Sequence, residues 1–195
     1  MKKFLAWHFP LSGKVSQSFE GEDILLWRLF TDLKIKDGFF IDVGAYHPVQ
    51  FNNTWFLRRK LNFRGINIEP NKNGYKQFLR WRKDDINLNC LCGEFNTRNY
   101  YGYNTSDPAL SLMSDSGILM DVVNLKTVCE KYKVERIDLL SIDVEGFELD
   151  VLRGHNWEIK PRVIICEINN QATEDFILKQ GYKLYARTKR NGVYV

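Results

Sequence analysis

The chain has 195 residues, of which 44% are hydrophobic and 27% charged, with a formal net charge of +4. These values suit one domain with a substantial core, residues 1–195, and exclude a disordered or fibrous chain. The mild basic excess gathers at Arg58-Arg59-Lys60, Arg80-Trp81-Arg82-Lys83 and Arg187-Thr188-Lys189-Arg190. It reads as solvated faces and helix ends, with no module that reads nucleic acid.

Met1 to Trp7 carries two lysines, but His8 and Pro10 cut the apolar run short, so neither a secretory signal nor a membrane span is expected. A helical lead-in occupies about 1–36, its apolar stripe formed by Ile24, Trp27, Leu29, Phe30 and Leu33. The core, about 37–195, begins with a strand over 39–43. Asn53 is expected to cap a helix bearing Trp55, Phe56 and Leu57, and a second strand covers 66–69. Asn71 precedes a helix with Tyr75, Phe78 and Leu79. A third strand runs over 86–92 and stops at Gly93. Residues 97–113, with Tyr100, Tyr101 and Tyr103, read as a strand followed by a surface loop. Asn124 caps a helix through Tyr132, and 137–144 is a continuous apolar run typical of a parallel strand buried on both faces. A helix over 147–153 closes at Gly154, 162–168 is a fifth strand, and a helix over 173–179 ends near Gly181. Residues 182–187 and 192–195 pair as an antiparallel hairpin. Alternation of this kind predicts an α/β, doubly wound, mostly parallel sheet. Cys90, Cys92, Cys129 and Cys166 lack zinc-site spacing and are expected to be buried free thiols in a reducing, cytoplasmic setting.

Two strands end in acids. The run Ile41-Asp42-Val43-Gly44-Ala45 places Asp42 and Gly44 at one strand end, and Ile68-Glu69-Pro70 places Glu69 at the next. Ligands of open α/β sheets bind outside the carboxyl ends of the strands. Gly44 would let a cofactor approach the backbone, and Glu69 would grip ribose hydroxyls. Tyr46 stands where a GxGxxG fingerprint needs its second glycine, which argues against a pyrophosphate cradle. An adenosine cofactor without that pyrophosphate, S-adenosylmethionine, fits better than NAD(P). The fourth strand delivers Asp143 and Glu145, two residues apart and so on one side if the strand persists. Carboxylates there suit a hard divalent ion or a general base. His47, on the loop after the first strand, is a second candidate base, and Glu167 with Asn169 and Asn170 suits substrate hydroxyls.

The segments Ser16-Gln17-Ser18-Phe19-Glu20-Gly21-Glu22-Asp23, Asp42-Val43-Gly44-Ala45-Tyr46-His47-Pro48 and Phe51-Asn52-Asn53-Thr54 resemble the FkbM-like methyltransferases. So do Gly65-Ile66-Asn67-Ile68-Glu69-Pro70-Asn71, Ile142-Asp143-Val144-Glu145-Gly146 and Pro161-Arg162-Val163-Ile164-Ile165-Cys166-Glu167, in family order. The resemblance implies a class I methyltransferase fold, Rossmann-like and seven-stranded with the terminal hairpin, and S-adenosylmethionine as methyl donor. It implies a cofactor site of Asp42, Gly44, Ala45, Asn53, Thr54, Glu69, Pro70, Cys92 and Gly93. Catalysis is expected from Asp143, His47 and Glu145, and the magnesium of related sugar O-methyltransferases carries over to Asp143, with Glu145 and Glu167 as further candidate ligands for Mg2+. The expected acceptor is a hydroxyl of a glycan, sugar or natural product, and a homo-oligomer is compatible. The competing readings are a scaffold that keeps the fold without catalysis and an NAD(P)-dependent oxidoreductase.

Overall fold

The computed structural model describes residues 16–102, 112–114 and 117–195. In chain order the first elements are helix α1 (Glu22–Asp32), strand β1 (Phe39–Val43), α2 (Trp55–Leu61), β2 (Arg64–Ile68), α3 (Lys72–Trp81), β3 (Ile86–Leu88), β4 (Leu91–Cys92) and β5 (Thr97–Gly102). There follow β6 (Leu112–Ser114), β7 (Ile118–Val123), α4 (Leu125–Lys131), β8 (Leu139–Ile142), α5 (Glu148–Arg153), β9 (Val163–Glu167), α6 (Gln171–Lys179), β10 (Leu184–Arg187) and β11 (Asn191–Tyr194).

Seven strands form the main sheet in the order β3-β2-β1-β8-β9-β11-β10. The first five are parallel, and β11 runs antiparallel to both β9 and β10. This is the mostly parallel, Rossmann-like arrangement that the sequence predicts. Side chains alternate across each strand, so the sheet feeds two cores. Ile41, Val43, Ile66, Ile68, Leu140 and Ile142 pack with Leu125, Val128, Val151 and Leu152 from α4 and α5. Phe40, Leu139, Val163 and Ile165 pack on the other face with Leu26, Phe30 and Leu57 from α1 and α2. Each such side chain contributes about 1.5–3 kcal/mol on burial. Burial on both faces explains why the strands read as mostly apolar runs, interrupted at Asp42, Asn67 and Ser141.

Asn124 caps α4 as expected, accepting from Thr127 N, and Asn71, expected only to precede its helix, caps α3 by accepting from Asn73 N and Gly74 N. Asn53 does not cap α2. Thr54 holds that position without a side-chain cap, and the Oδ1 of Asn52 instead accepts from Thr54 N and Trp55 N at 3.1 and 2.8 Å.

The expected single strand over 86–92 is two strands in different sheets. Asn89 interrupts it, turning its Nδ2 to the carbonyl oxygens of Glu69 and Pro70 at 2.9 and 2.8 Å. Strand β4 then joins a second, four-stranded sheet in the order β4-β7-β5-β6. Strand β7 fell inside no predicted element. Met1 to Trp7, His8, Pro10, Tyr103 and Ser111 lie outside the described residues, so the lead-in is described only from Ser16. The basic run 80–83 is not uniformly solvated: Arg82 is fully buried. All four cysteines are buried and unbridged. No described helix is long and apolar enough to cross a membrane.

Candidate active site

Strand β1 pairs with β2 on one side and β8 on the other, so the chain reverses its direction of travel across the sheet at β1. In doubly wound sheets the ligand crevice opens at that switch, outside the carboxyl ends of the strands. Gly44 and Asp143 sit at its two lips. The ladder continues past both strands, with Asp143 N donating to Val43 O at 3.0 Å. On the side where a side chain at Gly44 would project stands this Asp143 backbone.

Glu69 follows β2 and is buried. Its Oε2 accepts from Tyr46 N and its Oε1 from Asn71 N, both at 2.6 Å. Burial pushes its pKa up to about 8, opposed by those two N–H groups and reinforced by the charge of Asp42. A carboxylate has about four acceptor positions, so two remain for hydroxyl donors. Beside it, Pro70, Asn71 and Lys72 line a cavity of about 520 Å3, closed across by Tyr101, Leu119 and Met120 of the second sheet.

The fourth-strand acids meet by a turn rather than by strand alternation. Strand β8 stops at Ile142, and Glu145 and Gly146 adopt positive φ of 55° and 105°. The turn brings oxygens of Asp143, Glu145 and Glu167 within 4.8 Å of one another. Glu148 secures it, its Oε1 accepting from Val144 N and Gly146 N at 3.2 and 2.9 Å. Asp143 is exposed at the cleft mouth, with Glu145 and Glu167 beside it. Loss of hydration there, then the charges of Glu167, Glu145, Glu148 and Glu22, raise its pKa well above the ordinary carboxylate value. Glu167 is buried, takes a hydrogen bond from Asn169 Nδ2 at 2.8 Å and lies 3.8 Å from Arg190 Nη1.

Other expected site residues are drawn into the framework. Asp42 is buried, and its Oδ2 accepts from Asn52 Nδ2 and Thr54 Oγ1 at 3.1 and 3.0 Å. Burial raises its pKa, against the hydrogen bond from Ser141, the charge of Arg82 and the bonds from Thr54 and Asn52. Thr54 exposes no surface, and Ala45, Cys92 and Gly93 are buried. Asn53 is half-buried and reaches Ser141 Oγ at 3.4 Å. His47 organises its own loop: Nδ1 accepts from Val49 N and Gln50 N at 3.1 and 2.9 Å. Burial lowers its pKa, opposed by Gln77, so the ring is neutral with Nδ1 engaged. Taking a proton at Nδ1 would break both bonds, which sets His47 up as a loop organiser rather than a base.

Four residues with no site role in the sequence reading belong to this region. Asn52 caps and braces the β1–α2 loop, and a doubled asparagine before a helix was its only signal. Glu22 and Asp23 tie the 16–23 segment down, and Arg82 backs the loop from beneath. The topology and the acid-tipped crevice define a Rossmann-like methyltransferase domain. Residues 42–184 match the family model described as Methyltransferase FkbM domain; the chain belongs to that family and is a methyltransferase. No curated protein and no solved structure matches it.

Proposed function

We propose that the chain transfers the methyl group of S-adenosylmethionine to a hydroxyl oxygen of a small-molecule or glycan acceptor. The observation that carries this reading is Glu69. Its carboxylate is fixed by the backbone N–H groups of Tyr46 and Asn71 and keeps acceptor capacity at the mouth of the switch-point crevice. That suits a ribose diol, whose hydroxyls would draw the carboxylate into its ionised form; charge-assisted bonds of that type contribute about 1.5–3 kcal/mol each. S-adenosylmethionine supplies an electrophilic methyl group when bound. The chain has to align the acceptor oxygen with it and exclude water, which is worth about 7–11 kcal/mol. Asp143 takes the proton from the acceptor hydroxyl, standing at the open end of β8 directly across from Gly44. Asp143, Glu145 and Glu167 offer the hard-oxygen donor set that Mg2+ prefers, and the ion would supply Lewis acidity toward the same oxygen.

Calorimetric titration of S-adenosylmethionine into the wild-type protein and Glu69→Ala tests the proposal, with NAD as the control. Micromolar binding that the variant loses is the expected result. No binding of the methyl donor to the wild-type protein would overturn it.

A further inference from the structure

Arg82, at the C-cap of α3, is an arginine with no solvent exposure. Burying a guanidinium is expensive by several kcal/mol even after relaxation, and such pairs are poor sources of net stability. Its partners indicate what the charge is for. Nη1 donates to the carbonyl oxygen of Pro48 at 3.1 Å and to Asn52 Oδ1 at 3.4 Å. Nη2 donates to Thr54 Oγ1 at 3.0 Å and to Asn67 Oδ1 at 3.5 Å. Nε pairs with Asp85 at 2.6 Å, and the guanidinium lies 5.3 Å from the ring centroid of Phe40 and 5.8 Å from that of Phe78.

Three of these partners, Pro48, Asn52 and Thr54, belong to the β1–α2 loop. That loop carries Gly44, Tyr46 and Phe51 at positive φ of 76°, 55° and 52°. For Tyr46 and Phe51 such backbone is uphill and persists only where surroundings over-determine it. Asn52 and Thr54, both held by Arg82, are also the residues that hold Asp42 at the end of β1. The same loop delivers Tyr46 N to Glu69.

We propose that Arg82 is a positioning residue for methyl transfer: from behind the loop it fixes residues 44–54, and through Tyr46 it fixes Glu69. The consequence for the cofactor rests on the proposed S-adenosylmethionine site. A lysine cannot replace it, because an ammonium is a point donor that does not span a carbonyl, an amide and a hydroxyl at once. Asp85 would keep a cation without Arg82, since Arg58 Nε lies 3.4 Å from its Oδ2. Substitution at Arg82 therefore removes the loop brace without leaving Asp85 uncompensated.

The test uses Arg82→Met and Arg82→Lys in the full chain, with Thr54→Val as a milder variant that removes one brace contact together with the hydroxyl's bond to Asp42. Thermal unfolding, calorimetry with S-adenosylmethionine and amide hydrogen exchange are measured on each. Folded variants are expected, with Arg82→Lys closest to the wild-type midpoint. Affinity should fall at least tenfold in both Arg82 variants, without rescue by lysine, and several-fold in Thr54→Val. Exchange at 44–54 should rise at least tenfold while β8 stays protected. A folded Arg82→Met protein with wild-type affinity and unchanged exchange in the loop would overturn the proposal. If the Arg82 variants do not fold, an unchanged Thr54→Val protein does so. If the wild-type protein fails to bind the methyl donor, the cofactor reading falls, and exchange at 44–54 still decides the role of Arg82.

Discussion

A Cβ added to Gly44 would lie 1.8 Å from the backbone oxygen of Asp143. The two residues that cap adjacent strands are thus in contact through main chain, with no flexible side chain to give way. Gly44→Ala should destabilise the protein by about 3 kcal/mol or more, the upper range for single substitutions. It should also displace Asp143 and abolish methyl transfer. Urea unfolding read alongside cofactor binding checks this, and a variant of wild-type stability would contradict it.

Asp143→Asn keeps the shape of the side chain and removes its proton acceptor. Turnover should fall by about 10²–10⁴-fold, the usual contribution of a general base. S-adenosylmethionine affinity should change less than threefold, because Glu69 and the β1 loop are untouched. Single-turnover assays on any acceptor the wild-type protein accepts separate the two effects.

Glu69 makes the protein's stability fall as pH rises. Its folded pKa of about 8 lies above its ordinary value of 4.5, so the folded state binds the extra proton. Its contribution is complete below the ordinary value and is lost as pH climbs through about 8. Thermal midpoints measured from pH 5 to 9 should decline, and Glu69→Gln should flatten that slope. Methyl-donor affinity should move the opposite way, rising with pH, since the ribose diol favours the ionised carboxylate.

Asp23 gathers the segment before α1. Its Oδ1 accepts from Ser16 Oγ, Ser18 Oγ and Ile24 N at 2.6, 3.0 and 2.9 Å, and its Oδ2 from Gln17 N at 2.7 Å. Asp23→Asn turns an amide donor toward a backbone donor in a site with no solvent exposure. The expected loss is about 1–3 kcal/mol in chemical denaturation. Hydrogen exchange should rise first at residues 16–23 and leave the central strands protected.

The parallel sheet was legible because strands buried on both faces leave mostly apolar runs, as in Phe39–Val43 and Val163–Glu167, where the acids stand only near the carboxyl ends. Helix starts were legible where an asparagine does the capping alone, as at Asn71 and Asn124. At Asn52-Asn53 two candidates stood side by side and only tertiary contact with Asp42 decides between them. The second sheet escaped because β7 presents Ile118 and Leu119 to solvent and buries only Val122 fully, a pattern without the period of a half-buried strand. Among candidate site residues, Glu69, Asp143 and Glu167 could be placed at or just after strand ends from the sequence, whereas the turn that brings Glu145 to them could not. Arg82 was not, because its burial depends on Pro48, thirty-four residues earlier, and on the rings around it.

Glu22 is buried at the start of α1, and its Oε1 accepts from Asn191 Nδ2 at 2.8 Å and Thr188 Oγ1 at 3.3 Å. The residue that opens α1 is therefore partnered by residues 166 and 169 positions further along the chain. A nascent chain growing from its N-terminus can pair β1 with β2 early, but α1 cannot seat its first carboxylate until β11 has been made. Until then Glu22 must stay hydrated and the segment beside the crevice must stay loose. In the folded protein the 16–23 edge of the cleft thus depends on the turn before β11 and on β11 itself for its anchoring contacts.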